Sequence, residues 1–457
     1  MPPQRAGDNM LRQGNMADLP GMELPKNCLE LVENLELELI EILDKIALNN
    51  GGVWLVGGCV RDSMLALKVK DIDLAVDLSP ERMMEIFPDA IPTGLDFGCV
   101  TLRGNNAMYE ATTLRSESGY SDARRPDSVV LESSLSKDLE RRDFTINSMA
   151  IDVARKLLHD PHQGSKDIKS GVIKSVGIAN NRLKEDGLRI LRAYRFMDRG
   201  SAGVWPLNPD LSVAVKKNSS ILKNISSERI REEFLKILAG SNCGFVIRRM
   251  IHDGVIQEFS VLSMDNSYSS AICLDDPNIQ EISVEGRLAI LFSNLERNEF
   301  ERFLTSIKVS NDFKRKSMRL HQLIAMLPSL ENSSVRLHKY IVGDDAREHL
   351  QINLILSRNS KDVGGGVIPE SEVIEEMIRN LSSVKEIDTK PLIDGKYIMA
   401  NLGIPSGAKL GRLKEWLHKI QIERGIEEFE KMETIICSIP WNSDDYSDWP
   451  RMEFNNN

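Results

Sequence analysis

The chain has 457 residues, with 58 Lys and Arg against 68 Asp and Glu, a net charge of −10 and 41% apolar residues. That length allows three or four compact units with sizeable cores, and the acidic balance excludes a uniformly basic nucleic-acid binder. Aromatic residues make up only 5%, which argues against a base-stacking sheet of the RRM type.

The charge is unevenly spread. Residues 139–250 hold 21 Lys and Arg against 12 Asp and Glu, a basic stripe on an acidic body that can still track one RNA stem. The six cysteines (28, 59, 99, 243, 273 and 437) form no C-x-x-C pair. This suits a reducing, cytoplasmic setting and argues against a zinc knuckle. No apolar run reaches ~18 residues, so no membrane span is expected.

Residues 1–27 carry acids without an apolar core and read as a disordered tail. Leu29, Val32, Leu39, Leu43 and Ile46 mark an amphipathic helix, with Pro25 just ahead of it. Val53 to Val56 is a β-branched, apolar run, the pattern of a buried strand. Gly57 and Gly58 stop it; glycines let a backbone approach a ligand and turn N–H groups toward an anion. Val60 to Ala66 reads as a helix, so a phosphate would sit at its N-terminus. Arg61 in its first turn opposes the helix dipole, which a nearby anion would explain. Asp71 and Asp73 flank Ile72 where a second strand begins, and residues i and i+2 of a strand share a face. Two carboxylates held together call for a cation, and Mg²⁺ takes oxygen ligands of this kind.

Ser79-Pro80-Glu81 opens a helix to Phe87. Cys99–Arg103 and 107–114 read as strands joined by Gly104-Asn105-Asn106. Glu110 on the second either completes a metal site or is an exposed strand carboxylate. Residues 115–127 are polar and glycine-containing and read as a loop. His159-Asp160 and His252-Asp253 lack the partners of a metal phosphohydrolase. Farther on, Asp186 and Arg189 fall at i and i+3 of an expected helix, hence on one face. Arg192 and Arg195 continue the step, a row of cations that is poor for stability without an anionic ligand. Residues 234–238, 246–251, 286–303 and 313–327 read as helices, whereas 264–280 and 358–372, with Gly364-Gly365-Gly366, read as loops.

Gly57-Gly58-Cys59-Val60-Arg61-Asp62 with Asp71-Ile72-Asp73 resembles the head of class II tRNA nucleotidyltransferases and bacterial-type poly(A) polymerases, of the polymerase-β-like superfamily. Further similarities are Tyr109 to Arg115, Arg141-Arg142-Asp143-Phe144-Thr145, the run from Glu185 to Phe196, Ile225 to Glu233, and Asp394 to Gly411. The resemblance implies an α+β fold: a nucleotidyltransferase head (28–155, a mixed sheet with helices), then an all-helical neck (156–240), body (241–330) and tRNA-binding tail (331–440), with a disordered end (441–457).

It implies addition of CCA to tRNA 3′ ends from CTP and ATP, releasing pyrophosphate, with Asp71, Asp73 and Glu110 catalytic and Asp71 and Asp73 holding Mg²⁺. Gly57, Gly58, Arg61 and Arg142 would hold phosphates and Asp143 the ribose hydroxyls. Asp186 and Arg189, supported by Arg192 and Arg195, would read the base. The chemistry agrees: cytosine N4 and adenine N6 donate to a carboxylate, cytosine N3 and adenine N1 accept from a guanidinium, and uracil and guanine reverse both. The family's loop at 115–127 is implicated in the change from cytidine to adenosine addition. Rival expectations are a poly(A) polymerase, an enzyme adding only A, or a catalytically silent RNA-binding protein. The stretch from Leu95 to Thr101 lacks the polymerases' Gly-Arg-Arg-Phe run and stands nearer the tRNA type.

Overall fold

A computed structural model describes residues 11–118, 128–131, 133–260, 267–359, 366–384, 390–443 and 445–453. The chain divides into two compact units, one of residues 1–234 with 253–259, the other of 235–252 with 260–457.

The first unit opens with β1 (Met22–Glu23), α1 (Lys26–Glu33) and α2 (Leu37–Leu48). Then come β2 (Val53–Val56), α3 (Gly58–Met64), β3 (Asp73–Val76), α4 (Pro80–Ile86) and β4 (Ile91–Gly94). Strands β5 (Cys99–Arg103), β6 (Met108–Thr113), β7 (Arg115–Ser118) and β8 (Ser128–Leu131) follow. Helix α5 (Leu135–Glu140), β9 (Ala150–Asp152) and β10 (Leu157–His159) complete the sheet region. Eight strands pair in the order β1-β10-β9-β2-β3-β6-β5-β4. Among the described strands of this sheet only β3 and β6 run parallel; the other neighbours are antiparallel. Trp54, Leu55 and Val56 are all buried, as a central strand covered on both faces requires. The sheet is therefore mixed, as expected for the head.

Three expectations are corrected here. The segment read as a disordered tail is docked from residue 11 onward. β1 pairs with β10, Asn15 donates to Asp77, Arg155 donates to the Gly14 carbonyl, and Asp18 accepts from the Ser136 N–H. These are discrete polar contacts with no helical period, so no periodicity revealed them. The single helix before β2 is two helices, because Glu36 leaves the helical conformation between them. Residues 115–118 are a strand rather than loop, paired with β8; residues 119–127 lie outside the described residues.

Helices α6 (Gly164–Ser170), α7 (Ala179–Glu185), α8 (Arg189–Met197), α9 (Pro209–Asn218) and α10 (Ser227–Leu238) follow the sheet, α10 running into the second unit. The second unit continues with α11 (Cys243–His252), α12 (Ser267–Ile272), α13 (Val284–Leu291), α14 (Arg297–Ser306) and α15 (Asn311–Gln322). It ends with α16 (Asn332–Val342), α17 (Ala346–Asn359), α18 (Ser371–Ser383), α19 (Gly395–Leu402), α20 (Ala408–Arg424) and α21 (Phe429–Ser438). The stretch 286–303 is thus two helices, and 264–280 holds α12 and two 3₁₀ turns within its described part. Gly364 and Gly365 lie outside the described residues.

One apolar core of this unit gathers Val335, Leu350, Ile374 and Leu381; another gathers Ile398, Leu417, Met432 and Trp449. Trp449 packs on Trp416 with ring centroids 5.5 Å apart, and the Met452 N–H reaches Glu415 at 2.7 Å. The end read as disordered therefore folds onto α20 over its described residues. His338 and His349 are fully buried in this unit and share a 2.9 Å contact between ring nitrogens. Among the described residues no helix is long and apolar enough to cross a membrane.

Candidate active site

β2 delivers Gly57 at the end of a buried strand, with φ +75°, a conformation in which only glycine is free of strain. A Cβ here would lie 3.2 Å from Arg142 Nη1 and 3.7 Å from Asp73 Oδ2. The side of Gly57 on which a Cβ would stand thus faces both a guanidinium and a carboxylate. The helix after it starts at Gly58, two residues earlier than its pattern suggests. Arg61 donates to Asn147 at 2.7 Å and to Asp62 at 2.8 Å, and lies over the Phe196 ring at 5.2 Å. Because α3 starts at Gly58, Arg61 falls in its last turn rather than its first, and the nearby anion that its side chain meets within the chain is the Asp62 carboxylate.

Asp73 starts β3, and its strand neighbour in the parallel β6 is Glu110. Asp71 stands just ahead of the strand, exposed like Asp73, with Ile72 half-buried between them. Desolvation in the cleft, then Glu110 and to a lesser degree Asp71, push the Asp73 carboxyl above its ordinary value, with Arg142 opposing. Glu110 accepts from Cys99 Sγ at 3.2 Å. Among the described residues no three acidic, His or Cys side chains close into a ready cage. Oxygen donors that repel one another, without a closed cage, fit a hard divalent cation completed by substrate phosphates.

The opposite wall is arginine-rich. Arg141 and Arg142, at the end of α5, both bind the buried Asp138, at 2.6 and 3.1 Å. Asp143 is buried and fully engaged. One oxygen accepts from the Phe144 N–H and Asn147, and the other from Arg192. Burial alone would raise its pKa, but Arg192 and the Asn147 amide outweigh burial and hold it down to about 2. Asp143 is therefore an internal anchor rather than a free acceptor, a correction to its expected role toward ribose. Arg192 and Arg195 are not an unmet row either: Glu233 of α10 bonds Arg195 at 2.6 Å and approaches Arg192 at 3.8 Å. The Arg195 guanidinium lies 4.3 Å from the Phe196 ring centroid. Burial lowers the pKa of Arg195, and Glu233 works against that.

Asp186 and Arg189 do not share a helix. α7 ends at Glu185 and α8 begins at Arg189, with Asp186 extended between them. A Cβ on Gly187 would lie 2.6 Å from Ile221, so close packing accompanies the break. Asp186 accepts from the Leu188 N–H at 3.0 Å through Oδ1 and from Arg229 at 2.7 Å through Oδ2. Arg189 donates to Glu185 and to the carbonyls of Arg182 and Arg141. Those bonds use three of its five N–H groups, leaving Nε–H and one Nη2–H. Each Asp186 oxygen likewise keeps a free lone pair.

These pieces border one cleft of roughly 630 Å³, lined by Gly57, Gly58, Arg61, Asp73, Arg142, Asp143, Asp186, Arg189, Arg192 and Arg195 among others. Asp71 and Glu110 lie beside it, next to Asp73. Sequence reasoning assigned no role to Asp138, Asn147, Phe196, Arg229 or Glu233. Arg229 and Glu233 sit in a run already singled out, but their partners are about 40 residues away in sequence.

The family described as "Poly A polymerase head domain" matches residues 53–174, and "Probable RNA and SrmB-binding site of polymerase A" matches 206–263. A CCA-adding enzyme of Lactobacillus johnsonii is 32% identical over 394 residues, covering 84% of this chain and 93% of that one. Another, from Lactobacillus delbrueckii subsp. bulgaricus, is 34% identical over 300 residues, covering 66% and 75%. The fold is similar to that of the Bacillus stearothermophilus CCA-adding enzyme solved in complex with CTP (TM-score 0.73, 24% identity, 89% of this chain and 98% of that one). With a relative of this identity matched along nearly its whole length, and a head sheet that presents Asp73 beside Gly57, the chain belongs to the class II CCA-adding nucleotidyltransferase family.

Proposed function

We propose that this enzyme adds C, C and A to tRNA 3′ ends from CTP and ATP without a nucleic-acid template. The supporting observation is the single cleft that gathers Gly57, Asp73, Arg142, Asp186 and Arg189 from four separate stretches of sequence. The 3′-hydroxyl of the tRNA attacks the α-phosphorus, and pyrophosphate leaves. Asp71 and Asp73, with Glu110 beside them, would hold Mg²⁺, which when bound lowers the pKa of the attacking hydroxyl and balances charge on the leaving group. Arg142, lying over Gly57, and Arg61 orient the triphosphate as charge-assisted donors. Arg192 and Arg195 stiffen the wall through Asp143, Glu233 and Phe196.

Asp186 accepts from the amino group of cytosine or adenine, while a remaining N–H of Arg189 donates to the adjacent ring nitrogen. A base with the opposite pattern leaves both groups unpaired, which is what rejects U and G. The helices beyond the head and neck supply the tRNA-binding body and tail.

The deciding experiment uses tRNAs lacking the whole CCA end, lacking only the last A, or complete, each with one nucleotide at a time. The expected outcome is two cytidines from CTP alone on the tRNA lacking CCA, one adenosine from ATP alone on the tRNA lacking the last A, and no addition to the complete tRNA. A run of adenosines on all three would make it a poly(A) polymerase. Activity confined to the tRNA lacking the last A would make it an A-adding enzyme.

A further inference from the structure

Asn147 closes the short 3₁₀ turn Thr145–Asn147 that follows Asp143. The turn is pinned to the chain behind it. The Thr145 N–H donates to the Lys174 carbonyl at 2.9 Å, and the Thr145 hydroxyl donates to Asp167 at 2.7 Å. Asn147 is buried yet borders the cleft, and its side-chain amide meets two opposite charges. The oxygen accepts from Arg61 Nη1 at 2.7 Å, and the nitrogen donates to Asp143 at 3.2 Å. Only one orientation of the amide satisfies both, because a guanidinium donates and never accepts while a carboxylate only accepts.

The amide thereby joins parts of the cleft that are distant in sequence. Arg61 belongs to α3, next to the Gly57-Gly58 turn, whereas Asp143 holds Arg192 of α8. Asp62 fixes the Arg61 guanidinium at Nε, and Asn147 fixes it at Nη1. Nη2 and one Nη1–H are left over, and Nη2 lies 3.6 Å from where a Gly58 Cβ would stand. The spare donors are therefore beside the glycine turn. An aspartate at 147 would bind Arg61 but set a second carboxylate against Asp143. A leucine of similar size would release both partners. A neutral amide meets both demands.

We infer that Asn147 is a positioning residue for the triphosphate: its amide holds the Arg61 guanidinium, braced on the Asp143–Arg192 pair, with the spare N–H groups toward the nucleotide's phosphates. This rests on the phosphate-binding role given to Arg61 above.

The test compares two inhibitors of CTP addition by the full-length chain, tripolyphosphate and CMP, with Mg²⁺ in excess. The first carries phosphates alone; the second keeps base and ribose and lacks the β- and γ-phosphates. Inhibition constants do not depend on the folded fraction of a preparation. Asn147→Leu is expected to weaken tripolyphosphate about 10- to 100-fold, the range of a hydrogen bond to a charged group, and to leave CMP within a few-fold. Arg61→Met should show the same pattern, and adding Asn147→Leu to it should cost nothing further, since both act through one contact. Should Asn147→Leu fail to fold, Asn147→Ala answers the same question. Parallel loss of both inhibitors, or further loss in the double variant, overturns the positioning role. Weakened tripolyphosphate in Arg61→Met with none in Asn147→Leu also overturns it, and leaves Arg61 on the phosphates. Unchanged tripolyphosphate binding in Arg61→Met overturns the phosphate role of Arg61 itself.

Discussion

Gly57 and Gly58 are adjacent, and the structure predicts opposite outcomes for replacing each with alanine. Gly57 has φ +75° and ψ −125°, where a side chain is strained whatever the space around it. Holding a non-glycine residue in such a region costs roughly 1–3 kcal/mol. For a unit of this size each kcal/mol lowers the melting temperature by about 2–4 °C, so Gly57→Ala should melt roughly 2–12 °C lower. The new Cβ would also stand 3.2 Å from Arg142 Nη1, closer than ordinary contact, and the guanidinium must yield. Losing one charge-assisted contact to a phosphate corresponds to roughly a 10- to 100-fold rise in KM for CTP. Gly58 has no positive φ, and the nearest atom to its added Cβ is Arg61 Nη2 at 3.6 Å, ordinary contact. Gly58→Ala should therefore melt at the same temperature or slightly higher, since alanine favours a helix by up to about 1 kcal/mol, and keep its CTP kinetics within a few-fold. Melting curves and single-turnover CTP addition on the same preparations decide it. Equal effects of the two substitutions, or the reverse order, would refute the geometry argued for this turn.

Asp73→Ala should abolish nucleotide addition while leaving tRNA binding measured by gel shift near wild type; retained turnover would remove Asp73 from the chemistry. Asp186→Ala should shrink the discrimination of CTP over UTP by about 1–3 kcal/mol, with a modest fall in stability because it also frees Arg229 and the Leu188 N–H. Unchanged selectivity alongside a large melting shift would make Asp186 purely structural. Burial, joined by the charge of His349 on His338 and of Arg319 on His349, lowers the pKa values of His338 and His349 to about 3 and about 4 from an ordinary 6.5. The unfolded chain then binds protons that the native unit refuses as pH falls from about 6.5 toward 4. Stability should be highest above that window and decline through it by up to about 1.4 kcal/mol per pH unit for each histidine. A melting temperature flat between pH 6.5 and 4.5, or a slope unchanged in His338→Phe, would contradict this.

What could be read in advance were the features whose cause is local. The β2 run ends at Gly57 because apolar residues give way to glycine, and the turn at 104–106 separates β5 from β6 as its composition indicates. The features that escaped depend on partners distant in sequence. Asp186 and Arg189 have helical spacing, but the packing of Gly187 against Ile221 goes with a break that sends Asp186 to Arg229. Arg192 and Arg195 read as an uncompensated row because Glu233 is a helix away. Asp143 looked available for a ligand, yet Asn147 and Arg192 occupy it from two directions. At both ends of the chain, short segments dock through individual contacts, hydrogen bonds such as Asn15 to Asp77 at one end and the Trp449 ring on Trp416 at the other, which leave no periodic trace.

The pairing of Met22 with Leu158 carries a consequence for biosynthesis. β1 leaves the ribosome first, yet the edge it covers is made 136 residues later, after roughly 7–27 s at ordinary elongation rates of about 5–20 residues per second. Until then the first strand has no place in the sheet. Once β10 forms, it presents an open edge of unpaired backbone groups to any neighbouring chain. Until β1 docks, the edge at Leu157 and Leu158 is open to edge-to-edge association.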